Sequence, residues 1–232
     1  MVNILVTGAT QGIGKAIAEE LSDVGTIFAS GRNVQLLQKY KNYCVCDLAT
    51  DVETLESYIE AKKIDILINN AGEYIYGSID KMTDDQIREI FEVNLLAPVK
   101  LIAKASVNMK KKKWGRIINI GSISGIMGEA NASLYSSTKS GLVGLTRALA
   151  LELAEYNITV NTVNPGWVDT ELGMTSAELS EFFHDEIIET IPQRRFVQPI
   201  EIAKLVKYLV SDDAKGITGQ SINLCAGLSV GI

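Results

Sequence analysis

The chain has 232 residues, room for one large domain or two small ones, and its 47% hydrophobic and 22% charged residues are ordinary for a globular protein with a sizeable core. A formal net charge of −6 argues against nucleic acid or an anionic membrane as the main partner. No apolar run reaches the roughly 18–20 residues that cross a bilayer, and Met1-Val2-Asn3 leads into a strand pattern instead of a signal peptide. The expectation is a cytoplasmic protein with neither a membrane nor a nucleic-acid partner.

Short β-branched runs alternate with helical patterns along the whole sequence. Strands are predicted at 3–7, 26–30, 43–46, 65–69, 116–122, 159–164 and 221–224, several of them apolar without alternation, as in strands buried on both faces. Helices are predicted at 14–24, 34–40, 52–62, 83–112, 133–156 and 199–209, with a further helical stretch at 176–190. This pattern favours an α/β fold, a Rossmann-like doubly wound parallel sheet of about seven strands with helices on both faces. No linker or composition shift divides it, so residues 1–232 read as a single domain.

The first strand runs into Thr7-Gly8-Ala9-Thr10-Gln11-Gly12-Ile13-Gly14, a glycine-rich turn opening a helix. Such a turn allows close backbone approach, and the helix N-terminus offers N–H donors to a pyrophosphate; a ligand-free strand–helix turn is the alternative. The second strand ends at Ala29-Ser30-Gly31-Arg32-Asn33, with no acidic residue to hold a ribose 2′-hydroxyl. Arg32 could instead pair with a 2′-phosphate, which favours NADP(H) over NAD(H), or simply cap a solvated loop. Asp47, after the third strand, is placed either to accept from the adenine amino group or to cap the next helix.

Cys44, Cys46 and Cys225 read as buried free thiols, since Cys44-x-Cys46 without a second cluster is poor metal-ligand spacing. His184, the one histidine, reads as a surface residue, and no metal site is expected. The basic run Lys110–Lys111–Lys112–Lys113 closes a helix and suits its negative C-terminal end. In Tyr135-Ser136-Ser137-Thr138-Lys139 the tyrosine and lysine share a helix face. A neighbouring ammonium would lower the phenol from about 10 toward neutrality and make it a general acid–base. Ser122, at the end of Arg116-Ile117-Ile118-Asn119-Ile120-Gly121-Ser122, could reach the same substrate oxygen.

Together these segments resemble the short-chain dehydrogenase/reductase family, in order and over essentially the whole length. The loop from Thr7-Gly8 to Gly12-Ile13-Gly14 is similar to the family's cofactor loop, and Asn69-Asn70-Ala71-Gly72 to its motif after the fourth strand. Asn94 resembles its helix asparagine, Ser122, Tyr135 and Lys139 its catalytic positions, and Asn164-Pro165-Gly166 with Thr170 its nicotinamide-side loop. The resemblance implies catalysis by Asn94, Ser122, Tyr135 and Lys139. Tyr135 would exchange the proton, Ser122 orient the carbonyl, Lys139 bond the nicotinamide ribose, and Asn94, at a helix kink, hold a relay water. It implies cofactor contacts from Gly8, Thr10, Gln11, Gly12, Ile13, Gly14, Arg32, Asp47, Leu48, Asn70, Ala71, Gly72, Tyr135, Lys139, Pro165, Gly166, Val168 and Thr170, with Asn69 helping to shape the cleft. One departure is visible: few residues separate Arg32 from Asp47, so the second helix is short.

Within the family the chain is similar to the bacterial β-ketoacyl-acyl-carrier-protein reductases, in segments also shared with sugar, alcohol and steroid reductases. The leading expectation is reduction of a 3-oxoacyl thioester, free or carried on acyl-carrier protein. The alternatives are another small ketone, sugar or steroid-like alcohol, or a non-catalytic dinucleotide-binding sensor. Tyr74, Tyr76, Ser124, Ile126, Met127, Trp167, Leu172 and Met174 are expected around the substrate pocket, with core packing as the other possibility, and 171–195 as a lid. Arg194 and Arg195 could attract an anionic carrier or phosphopantetheine, form a solvated pair or make an inter-subunit salt bridge. The family also implies a homotetramer or dimer, with helices 83–112 and 133–156 at the interface and Leu142, Leu145, Leu149 and Leu153 continuing along it.

Overall fold

The computed structural model describes residues 2–170, 173 and 184–230. Seven strands form one sheet: β1 (Val2–Thr7), β2 (Gly25–Gly31), β3 (Tyr43–Val45), β4 (Ile66–Asn69), β5 (Gly115–Ile120), β6 (Ile158–Pro165) and β7 (Ser221–Leu224). Their order is β3-β2-β1-β4-β5-β6-β7, and every neighbouring pair is parallel. The chain winds outward from β1 to one edge and returns to β4 to build the other half. β1 and β4 are therefore the switch point, where loops diverge at the strands' carboxyl ends and leave a crevice.

The helices are α1 (Gly12–Glu20), α2 (Val34–Leu37), α3 (Val52–Lys62), α4 (Asp84–Phe91), α5 (Ala97–Lys112), α6 (Ser124–Met127), α7 (Ser133–Leu153), α8 (His184–Thr190) and α9 (Pro199–Val210). Successive strand side chains point to opposite faces, so the sheet carries two cores. Ile4, Val6, Ile66, Ile68 and Ile118 pack with Ile17 of α1, with Leu21 that caps its end, and with Ile202, Val206 and Leu209 of α9. Leu5, Leu67, Ile117 and Val160 pack on the other face with Leu55 of α3, Leu101 and Ala105 of α5, and Leu153 of α7.

Two expected elements are modified. The predicted helix 83–112 divides into α4, a π turn over Glu92–Leu96, and α5. Pro98 has no N–H to give the Asn94 carbonyl four residues back, and a π turn is a common way to absorb such a lost bond. The predicted helix 34–40 shrinks to the single turn of α2, capped by the Asn33 side chain accepting from Leu36 N–H at 3.1 Å. Asp47 is not the cap of α3. That position is Asp51, while Asp47 Oδ1 accepts from Ala49 N–H at 3.0 Å.

Leu142 and Leu153 lie in the core, and Leu145 and Leu149 pack against it, so the fold of one chain accounts for the burial of all four. Leu151, on the same helix, is 84% exposed. The three cysteines are free and buried. Within the stretch expected as a lid, α8 is described and lays Ile187 into the core, and Ile191 after it is buried there too; residues 171–172 and 174–183, including Leu172 and Met174, lie outside the described residues. No helix among the described residues is long and apolar enough to cross a membrane.

Candidate active site

A cleft of about 790 Å³ opens at the carboxyl ends of the strands, lined by the loops after β1, β2, β3, β4, β5 and β6 and by α7. That volume is within the range of small-molecule and cofactor sites. At its floor, Gly8 and Gly12 have φ of 63° and 51°, left-handed values that glycine adopts without strain. A Cβ on Gly14 would stand 2.2 Å from the Gly8 carbonyl oxygen, so only glycine lets α1 start against the loop. Gln11, which precedes α1, makes no side-chain cap bond, and the helix's first N–H groups are left to a ligand. Asn70 staples the opposite wall to this loop, its Nδ2 donating to the carbonyls of Thr7 at 2.9 Å and Gly8 at 3.2 Å. Thr7 Oγ1 accepts from the N–H groups of Asn70 and Ala71, both at 2.9 Å. This cradle, with its uncapped helix end, fits a dinucleotide pyrophosphate.

Tyr135 and Lys139 project from the first turns of α7, and Ser122 from the end of β5. Below them a polar row holds α7 in place. Asn69 Nδ2 donates to Asn119 Oδ1 at 2.9 Å, and Asn119 Nδ2 donates to Thr146 Oγ1 of α7 at 2.9 Å. Thr146 Oγ1 in turn shares a 2.7 Å bond with Thr162 Oγ1. Asn69 thus lies beneath the cleft and does not line it. Lys139 is 4% exposed and donates to the Ile120 carbonyl at 3.0 Å, and its Nζ sits 5.4 Å from the centre of the Tyr135 ring. An ammonium has three donors, so two remain for a ribose diol in the cleft.

The electrostatics differ from the simple expectation that the lysine lowers the phenol. Burial pushes the Tyr135 phenol up to about 12; a hydrogen bond with Ser122 acts the other way, and the Glu129 charge adds to the rise. Burial likewise presses Lys139 down to about 8. Spacing alone showed that the two groups are neighbours. It did not show that both lose their water, which disfavours each charged form.

Ser122 Oγ donates to Ser124 Oγ at 3.1 Å, and Ser124 Oγ donates to Glu129 Oε2 at 2.7 Å. The other oxygen of Glu129 accepts from the Tyr74 hydroxyl at 2.6 Å, and the Tyr74 ring packs edge-on to Tyr135 with centroids 5.0 Å apart. Sequence reasoning missed Glu129, which lies between two helices without periodicity. Its only signal is its position six residues before Tyr135. Met127 and Trp167 line the same part of the cleft, whereas Tyr76 and Ile126 do not. Tyr76 instead stacks on Tyr74 and accepts from Asn131 Nδ2 at 3.1 Å.

Gly8, Thr10, Gln11, Gly12, Ile13, Gly14, Arg32, Asp47, Leu48, Asn70, Ala71 and Gly72 line the cleft, as do Pro165, Gly166, Val168 and Thr170. Asn94 lies behind this wall. Its Oδ1 accepts from the Glu73 N–H and its Nδ2 donates to the Glu73 carbonyl, both at 2.8 Å, with a further 3.3 Å bond to Thr138 Oγ1. A Cβ on Gly72 would meet Asn94 Oδ1 at 3.2 Å and Lys139 Nζ at 3.4 Å, so these three groups converge. A relay water there would rely on the second lone pair of Oδ1 or on the Asn94 carbonyl that Pro98 leaves without its helical donor. Among the described residues, no group of His, Cys, Asp and Glu is arranged to hold a metal ion.

A glycine-loop Rossmann crevice lined by a serine, a tyrosine and a buried lysine defines a nicotinamide-dependent oxidoreductase. The family pattern described as short chain dehydrogenase matches residues 2–180, and the chain belongs to the short-chain dehydrogenase/reductase family. It is 38% identical to the 3-oxoacyl-[acyl-carrier-protein] reductase FabG of Vibrio harveyi, covering 97% of this chain and 96% of that one. It is 37% identical to the FabG of Rickettsia conorii, over 97% and 95% of the two chains. Among solved structures, actinorhodin polyketide ketoreductase with NADPH superposes with a TM-score of 0.93 at 34% identity, over 99% of this chain and 97% of the other. Aldohexose dehydrogenase of Thermoplasma acidophilum gives 0.90 at 31% identity, over 99% and 94%. The chain is thus an oxidoreductase that interconverts a carbonyl and an alcohol.

Proposed function

We propose that this protein reduces the ketone of a 3-oxoacyl thioester, free or on acyl-carrier protein, with NADPH as hydride donor. The observation that carries the reading is the convergence of Tyr135, Ser122 and Lys139 on one wall of the cleft, where the Tyr135 phenol, protonated at neutral pH as any phenol is, lies in reach of a bound carbonyl. A protonated phenol is a donor, ready to give its proton to a carbonyl oxygen as that oxygen gains charge. Ser122 must turn its hydroxyl from Ser124 toward the same oxygen, where a fixed donor stabilises developing negative charge. Lys139 would hold the ribose next to Tyr135 and resupply its proton through a water held at Asn94. The cofactor, when bound, supplies the hydride.

NADPH is supported by Arg32 at the cleft wall and by the lack of an acidic residue at the end of β2. A neighbour solved with NADPH agrees with it, and relatives named as 3-oxoacyl-[acyl-carrier-protein] reductases agree with the thioester substrate. A second reading rests on Glu129. A carboxylate beside the reacting position suits a polyhydroxylated substrate, and an aldohexose dehydrogenase is among the structural neighbours. Leu151, Val107 and Leu96, exposed on α7, α5 and the π turn, support assembly into a dimer or tetramer. Three free thiols suit a reducing cytoplasm.

The test follows absorbance at 340 nm, as NADPH oxidation with acetoacetyl-CoA in one arm and as NAD(P)H formation from NAD(P)+ with a panel of aldohexoses in the other. Selective turnover of acetoacetyl-CoA supports the thioester reading. Turnover confined to the sugars transfers the site to the second.

A further inference from the structure

The adenine end of the cleft contains an ion-pair arrangement that the proton chemistry does not use. Arg32 Nη1 stands 3.1 Å from Glu73 Oε1 and 3.9 Å from Asp47 Oδ2. All three residues line the cleft, and they come from the loops after β2, β4 and β3. The Arg32 side chain is 64% exposed and that of Glu73 21%, so the carboxylate is the more fixed partner. Its backbone is fixed too, because Asn94 grips the Glu73 N–H and carbonyl from behind. Burial, and then the charge of Glu89, hold the Glu73 carboxyl above its usual range, with Asp47 acting in the same sense and Arg32 against it. One guanidinium therefore faces two carboxylates, those of Glu73 and Asp47, and the Glu89 charge bears on Glu73.

Resting on the NADP(H) reading above, we infer that Glu73 is a specificity-determining residue. It occupies the Arg32 guanidinium in the free protein, competes with a 2′-phosphate for it, and so narrows the preference for NADPH over NADH. A phosphate monoester brings about −1.5 to −2 charges near neutral pH. To reach Arg32 it must displace the Glu73 carboxylate and then remain close to it and to Asp47. A 2′-hydroxyl meets no such opposition and can donate to the same carboxylate. Glu73 thus opposes one cofactor and tolerates the other. The ion pair itself is half in water and contributes little to the fold, so its effect is expected in cofactor choice and not in stability.

The test measures NADPH and NADH dissociation constants by nicotinamide fluorescence on the full chain, on Glu73→Gln, on Arg32→Ala and on the double variant. Glutamine keeps the length and polarity of glutamate and removes its charge. Glu73→Gln is expected to tighten NADPH by about three- to tenfold while NADH changes by less than about twofold. In the Arg32→Ala background the same substitution should shift the NADPH/NADH ratio far less. An undiminished shift without Arg32 overturns competition for the guanidinium. An unchanged or reduced ratio in Glu73→Gln, with Arg32→Ala still removing the NADPH preference, overturns the role of Glu73 and leaves the cofactor reading standing. If Arg32→Ala leaves the ratio unchanged, the cofactor reading falls and this inference falls with it.

Discussion

The two ends of the cleft share one sheet edge and are built on opposite principles. At the end proposed as catalytic Lys139 is buried, Tyr135 is closely ringed by protein, and both ionisations are displaced by loss of water. At the end proposed for the adenosine Arg32, Asp47 and Glu73 keep contact with solvent and form ion pairs that a ligand can exchange. The first arrangement fixes a geometry in advance, which proton transfer needs. The second leaves charges able to change partners, which suits recognition of a phosphate by a planar fork. Cofactor choice should therefore be easier to alter than the chemistry.

The strongest challenge to that contrast is Tyr135→Phe. It should lower kcat by about 10²- to 10⁴-fold and leave the NADPH dissociation constant within about twofold, measured by steady-state rates beside fluorescence titration. Comparable turnover would remove Tyr135 from its role.

Lys139→Met should also cost most of the activity while stabilising the fold. The folded value of Lys139 lies near 8, below its ordinary 10.5, so the folded state resists protonation. The penalty is present in full below pH 8, fades between 8 and 10.5, and amounts to no more than about 3 kcal/mol at neutral pH. Thermal melts should show a higher Tm for the variant at pH 7, with the gain shrinking toward pH 10.5. A lower Tm at pH 7 would mean that the buried ammonium is well compensated.

A smaller effect is expected from Glu129→Gln. The Glu129 charge raises the Tyr135 phenol, so removing it should move the rising limb of the alcohol-oxidation pH profile to lower pH. The rate change should be roughly tenfold at most, well below that of a missing acid. An unmoved profile would limit Glu129 to a packing role.

Much of this was legible in the sequence because it repeats or follows fixed spacing. Parallel strands buried on both faces read as apolar runs, and the glycine loop, Asn70-Ala71-Gly72 and Tyr135-x-x-x-Lys139 declare themselves locally. What stayed hidden depends on distance in space. Glu73 and Glu129 sit in irregular loops, and their partners Arg32 and Tyr74 are 41 and 55 residues away. The direction of the Tyr135 shift follows from burial, which a pair of residues on a helix face does not reveal. The π turn was hidden in a plausible helix of thirty residues, although Pro98 marked the place.

The polar row beneath the catalytic helix also bears on how the chain avoids folding wrongly. Asn69, Asn119 and Thr162 lie in register across β4, β5 and β6, and Thr146 joins Asn119 to Thr162 from α7, while Asn69 Oδ1 is left without a partner among the described residues. Apolar neighbours such as Ile117 and Ile118 would tolerate a slipped pairing, since one branched side chain resembles the next. A one-residue slip would instead turn these amides and hydroxyls toward the wrong face. Each would then be buried without a partner, at about 1–3 kcal/mol apiece. The row works as a key that only one alignment of three strands and a helix can turn, and that alignment delivers Tyr135 to Ser122.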